Sequence, residues 1–131
     1  MRVSTTNYDL PAFRWHEGGA LVGPEVDLIN GIATALGVKA VFVSEANSFD
    51  GVVELIEEGR ADIGVNKLSQ TYARLQRVRF STPYLTLRHA MLFNREVIAQ
   101  FSDSSLPEAV LRRFKGNIGA VRGTSYVDFG R

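Results

Sequence analysis

The feature that most limits this chain is its alternation of short β-rich runs with helical repeats. "RVSTT" (residues 2–6) reads as a strand. "GPEVDLINGIATALG" follows, with Val26, Ile29, Ile32, Ala33 and Leu36 at helical spacing, Pro24 in the first turn and Gly37 at the stop. "KAVFV" (39–43) is β-rich again. "SFDGVVELIEEG" predicts a second helix, capped by Ser48 or Asp50 and stopped by Gly59. "ADIGVN" (61–66) is apolar enough for a strand covered on both faces. A third helix is expected within "NKLSQTYARLQRVRFSTPY", then a strand over 88–94. "SLPE" (105–108) has the form of a capping box and opens the helix "LPEAVLRRFKG"; "NIGAV" (117–121) reads as a last strand before a helix start at "RGTSY". The order predicts an α/β fold, a doubly wound and mainly parallel sheet flanked by helices.

Sheets of that kind hold ligands in the crevice beyond the carboxyl ends of their strands. Three loops leave those ends here, at 7–15, 44–50 and 66–71. They offer Asn7, Phe13 and Trp15, then Phe49, then Ser69 with Arg74 one turn into the helix. An arginine near a helix start needs an anion, because that end carries partial positive charge and unpaired N–H groups. A small carboxylate fits, with Arg74 clamping both oxygens, Ser69 adding a hydroxyl and aromatic side chains burying the rest. The alternative reading makes Ser69 or Thr71 a plain N-cap and pairs Arg74 with an Asp or Glu of the chain.

Composition closes several other routes. The chain has 131 residues and a formal net charge of +1, so bulk electrostatics favour neither nucleic acid nor a membrane surface. "LRRFK" is too short a basic run to change that. There is no cysteine, hence no disulfide or thiolate metal site. His16 and His89 lack metal-ligand spacing, and no cofactor is expected. No run has the length of a membrane span, and "MRVSTTNYDL" lacks the apolar stretch of a secretion signal. "IAQFSDSS" (98–105) is the best linker candidate.

Three stretches resemble one family. "LVGPEVDLINGIATALGVKAVFV", "SFDGVVELIEEGRADIGV" and "SQTYARLQRVRFSTPYL" are similar to the N-terminal lobe of the family 3 extracellular solute-binding proteins, type II periplasmic clamshells that deliver polar amino acids to ABC transporters. "FKGNIGAVRGTSY" resembles the first strand of their second lobe. The resemblance implies roles residue by residue. Arg74 and Ser69 would take the ligand α-carboxylate, Lys67 would offer its carbonyl to the ligand ammonium, and Phe49 would stack on the ligand. Ser125, with Thr124, would close on the carboxylate from the second lobe. Asn7 stands at a side-chain contact of variable identity, and Leu10 where many members place a stacking tyrosine. Lys67 replaces a small residue, and Asp27 belongs to the family's first helix as a structural acid.

The implied function is solute reception for an ABC permease, in the periplasm or outside the cell, with no catalysis. Alternatives are the ligand-sensing domain of a larger membrane receptor, a dehydratase-like enzyme on the same clamshell, and an interaction domain of flavodoxin-like build. An enzyme would need an acid in the cleft, and Glu45 and Asp50 are the nearby candidates. Residues 1–96 are expected to form the first ligand-binding lobe, and 97–131 the hinge crossing and the beginning of a second lobe cut short. On that expectation the last segment disorders or pairs with another copy through Ala120 and Val121, and the chain alone binds amino acids weakly or undetectably.

Overall fold

The computed structural model describes residues 1–88, 90, 92, 94–99 and 113–129. Its first compact unit is Met1–Thr82 together with the segment from Ala120 onward; the second falls within Pro83–Gly119. The first unit is built on a parallel sheet of three strands in the order β4-β1-β5, where β1 is Arg2–Thr6, β4 is Val41–Ala46 and β5 is Ile63–Gly64. Helices α1 (Pro24–Ala35) and α2 (Phe49–Glu57) make the crossovers.

The strand period of two assigns each residue of β1 to a face. Val3 turns toward α1 and packs with Ile29 and Val65, joined by Phe42, Ile63 and Ile32. Ser4 turns the other way and donates to the Val52 carbonyl of α2 at 3.2 Å. On that side Val52, Leu55, Ala46 and Ala61 form a second apolar cluster with Val43 and Ile56. One helix therefore covers each face, which is the doubly wound arrangement expected. The register pairs Val3 with Phe42 and Ile63, and Ser4 with Val43 and Gly64.

Several expected elements differ in extent. The strand expected at 39–43 runs instead over Val41–Ala46, because Val41 N–H is the first to bond the first chain segment, at the Met1 carbonyl, and pairing continues to Thr6 opposite Ala46. The strand expected at 61–66 keeps only Ile63–Gly64 as regular strand, although Asp62 and Val65 N–H also bond β1. The third helix, α3, is a single turn, Tyr72–Leu75. A hairpin was not expected: β2 (Trp15–Glu17) and β3 (Ala20–Val22) pair antiparallel across Gly18-Gly19, whose φ of 57° and 83° is the left-handed pair that a two-residue hairpin turn needs.

The described residues of the strand expected at 88–94, namely Arg88, Ala90, Leu92 and Asn94, are not in strand; His89, Met91 and Phe93 lie outside the described residues. Two short helices are present instead, α4 (Arg95–Ala99) and α5 (Tyr126–Phe129). The linker 98–105 and the helix expected from "SLPE" lie outside the described residues except at their edges. The expected strand at 117–121 does not form. Ile118 and Val121 are exposed, and no strand among the described residues lies beside them to complete a ladder. No helix among the described residues is long and apolar enough to cross a membrane.

Candidate functional site

Arg74 is buried, and its environment answers what negative charge it needs. Asp50, in the first turn of α2, puts one oxygen, Oδ1, against Arg74 Nε at 3.0 Å and Nη2 at 2.8 Å. The Ser69 carbonyl takes Nη1 at 3.1 Å, and the Gly123 carbonyl takes Nη2 at 3.2 Å. The sequence reading of Asp50 as a cap is corrected here. Ser48 is the N-cap of α2, its Oγ accepting from Gly51 N–H at 3.0 Å, which leaves the Asp50 carboxylate for Arg74.

The cap of α3 is Thr71, whose Oγ1 accepts from Arg74 N–H at 3.3 Å. Ser69 is left uncapping, with its hydroxyl accepting from Ser125 Oγ at 3.3 Å and its carbonyl on Arg74. Arg74 lies in the last turn of a one-turn helix, so the field of a helix start is not what holds it. A charged partner from α2 does.

Of the other expected residues, Thr124 and Ser125 line the same cavity as this pair, and Phe49, Lys67, Asn7 and Leu10 are not in its lining. Gly123, Thr124 and Ser125 come onto the pair, Thr124 closing its own turn by donating to the Val121 carbonyl at 2.6 Å. The cavity, of about 230 Å³, is lined by Arg74, Arg77, Arg122, Asp50, Thr71 and Ser125 among others. Its lining holds three arginines against one aspartate, which suits an anionic group. Phe49 opens α2 half-buried beside Asp50. Lys67 stands with φ 41°, its amide on Glu25 Oε1 at 2.7 Å and its Nζ 4.8 Å from the Phe13 ring centre. Asn7 is exposed, and its N–H bonds the Ala46 carbonyl at 2.7 Å. Leu10 is buried; it closes a turn on Arg14 through N–H to carbonyl bonds of 2.7 and 2.9 Å. The three loops after β1, β4 and β5 therefore converge, as the parallel sheet requires.

Two residues with a hold on these loops were not picked out from the sequence. Arg14 is fully buried. Its Nη2 donates to Thr6 Oγ1 at 2.8 Å, Asn66 Oδ1 at 3.1 Å and the Tyr8 carbonyl at 3.3 Å. Burial pushes its guanidinium below the usual arginine range, and the charge of Glu25 works in the opposite direction. Glu25 is the second. It shares a helical stripe with Ile29 and Ala33, both buried, and a charged residue at that spacing was the readable signal. Arg14 had none, since it sits between Phe13 and Trp15 in a segment with no period.

His16 bonds Asp9 through Nδ1 at 2.7 Å, and that bond holds the Asp9 carboxyl below its usual range. Among the described residues no cluster of His, Cys, Asp or Glu is arranged to hold a metal.

A parallel α/β layer that brings an arginine fork and serine hydroxyls together beyond its strand ends is the form of a small-molecule binding lobe. The chain belongs to the bacterial extracellular solute-binding proteins, family 3, whose pattern matches residues 2–111. It is 31% identical to a probable histidine-binding protein of Campylobacter jejuni, over 61% of this chain and 30% of that one. Among solved structures it is similar to a putative ABC-transporter binding component of Wolinella succinogenes complexed with lysine, at TM-score 0.57 and 31% identity over 65% of this chain and 36% of that one. An ancestral arginine-binding protein bound to glutamine is similar at TM-score 0.58 and 35% identity, over 64% and 36%. The chain thus spans about a third of the length of the relatives it matches.

Proposed function

We propose that the protein binds a small polar ligand, an amino acid, through its α-carboxylate, and serves as solute receptor for an ABC permease in the periplasm or outside the cell. The observation that carries this is the state of Arg74. A guanidinium has five N–H donors. Asp50 takes the side edge, Nε and Nη2, and Ser69 takes one N–H of Nη1. Among the described residues that leaves one Nη1 N–H and the Nη2 N–H that meets the Gly123 carbonyl, and in this reading these two make up the end edge. A ligand carboxylate fits that end edge bidentately once the Gly123 carbonyl yields. The Ser69 and Ser125 hydroxyls stand 3.3 Å apart beside it. The relatives named for histidine, lysine, arginine and glutamine support an amino acid as the class of ligand.

The reading is of a binder and not an enzyme. The relatives are binding proteins, and the two acids that the sequence offered for catalysis are in ion pairs, Asp50 with Arg74 and Glu45 with Arg60. In this reading residues 1–96 belong to the first ligand-binding lobe, and 97–131 to the crossing and the beginning of a second. In the same reading the exposed apolar run with Ile118 and Val121, 58% and 69% exposed and outside any strand, is the surface through which a second copy would pair, which sedimentation at rising concentration reads.

The test is titration calorimetry with a panel of L-amino acids. Arg74→Ala should weaken binding by about 2–5 kcal/mol, because a desolvated ligand carboxylate loses its charged partner. A loss below about 0.5 kcal/mol, the range of a surface pair, would sink the reading.

A further inference from the structure

The core holds a polar knot where an apolar one would serve folding equally well. Arg14, Glu25, Asn66 and Thr6 are 0%, 2%, 0% and 0% exposed. Burying two charges is costly, and an apolar pair of the same volume is often as stable or more so. Arg14 Nε and Nη1 and Asn66 Nδ2 find no hydrogen-bond partner among the described residues, where the knot is not fully satisfied. Stability alone is a weak reason for it.

What the knot grips is a better reason. Glu25 Oε1 accepts the Lys67 amide at 2.7 Å, and Arg14 Nη2 reaches Asn66 Oδ1 at 3.1 Å. Lys67 has φ 41°, a left-handed conformation that a residue with a Cβ adopts only when its surroundings impose it. Asn66 and Lys67 open the segment that leads to Ser69 and Arg74.

We propose that Glu25 is a positioning residue for the ligand site: it holds Lys67 left-handed through its amide, while Arg14 only balances the buried Glu25 charge. Neither touches ligand. Released from Glu25, Lys67 relaxes to an ordinary φ, which turns its carbonyl and shifts Ser69. The proposal rests on the amino-acid reading for its effect on binding. Its effect on the backbone stands apart from that reading.

The experiment compares the unaltered protein with two double variants, Arg14→Met with Glu25→Gln and Arg14→Met with Glu25→Leu. Both remove both charges at similar volume. Only glutamine keeps an oxygen for the Lys67 amide. Hydrogen exchange of that amide should be slow in the unaltered protein and the glutamine variant. It should be about tenfold faster in the leucine variant, with the Val52 amide as control for global opening. The three-bond amide–Hα coupling of Lys67 should change only in the leucine variant. Titration with L-lysine and L-glutamine should keep its affinity in the glutamine variant and lose about tenfold in the leucine variant. Equal exchange and coupling in the two variants would overturn the proposal. So would a changed coupling with unchanged affinity. If the unaltered protein takes up neither amino acid, the functional reading falls, and exchange and coupling still decide the positioning role.

Discussion

Asp50 decides which edge of Arg74 is left for anything else. Its side chain is 44% exposed while that of Arg74 is 6%, so the pair joins a buried cation to a wetted anion. Asp50→Asn keeps an oxygen for Nε and Nη2 but removes the negative charge. Two outcomes of opposite sign are expected. Thermal stability falls by about 1 kcal/mol, since the buried guanidinium loses its counter-charge and solvent screens part of the loss. Amino-acid affinity rises several-fold, because the clamp turns from neutral to cationic. A variant that loses affinity would show that Asp50 aims Arg74 rather than competing for it. That Arg74 wants a carboxylate was legible in the sequence. That an Asp or Glu of the chain supplies it, with Thr71 as a plain cap, was the alternative reading and is what the structure shows; that the partner is Asp50 was not legible, because an acid at the start of α2 already reads as a cap. Long-range pairing of that kind leaves no local signal.

At the scale of elements, the two crossover helices were readable from spacing and caps, and the strands only roughly. The difference is physical. A helix closes its own hydrogen bonds, so caps and period mark its ends. A strand ends where its neighbour does, as Val41–Ala46 does opposite β1. The missed hairpin had a local signal in "EGGA", two glycines between short β-capable runs. Close packing of α2 on the sheet gives a test. Gly64 lies under α2, and an added methyl would come 2.7 Å from Ile56 Cδ1 and 3.1 Å from Val52 Cγ1. Ile56 can swing its end aside, whereas Val52 is fully buried and branched at Cβ. Gly64→Ala should therefore cost about 1–3 kcal/mol in denaturant unfolding. A cost near zero would mean that α2 rides further from β5 than it is placed.

At the scale of the first unit, the sheet is tied at its starting edge by a pair the fold brings together from distant sequence. Asp62, just before β5, accepts from the Arg2 backbone N–H at 2.6 Å and from Arg2 Nη2 at 2.6 Å. Side-chain and backbone hydrogen bonds from Arg2 hold the Asp62 carboxyl at about 2. Its folded value lies below the ordinary 3.8, so its contribution is in full above that ordinary value and is lost as pH falls through about 2. A carboxyl-resolved NMR titration should place its midpoint near 2, and Asp62→Asn should flatten the acid limb of unfolding. A midpoint at the ordinary carboxylate value would remove the tie.

If Arg74 takes the ligand carboxylate as proposed, the Gly123 carbonyl on it makes the free protein its own competitor. Molecules with that contact intact present no end edge to a ligand, so the measured dissociation constant is the intrinsic one divided by the fraction in which the contact is open. With about one molecule in ten open, half-saturation takes about ten times more ligand. A change far from Arg74 that merely loosened the turn at Gly123 would then read as an improved binding site, although no atom that meets the ligand had altered. Under the proposed reading, affinity maps of this protein mark the turn at Gly123 as strongly as Arg74.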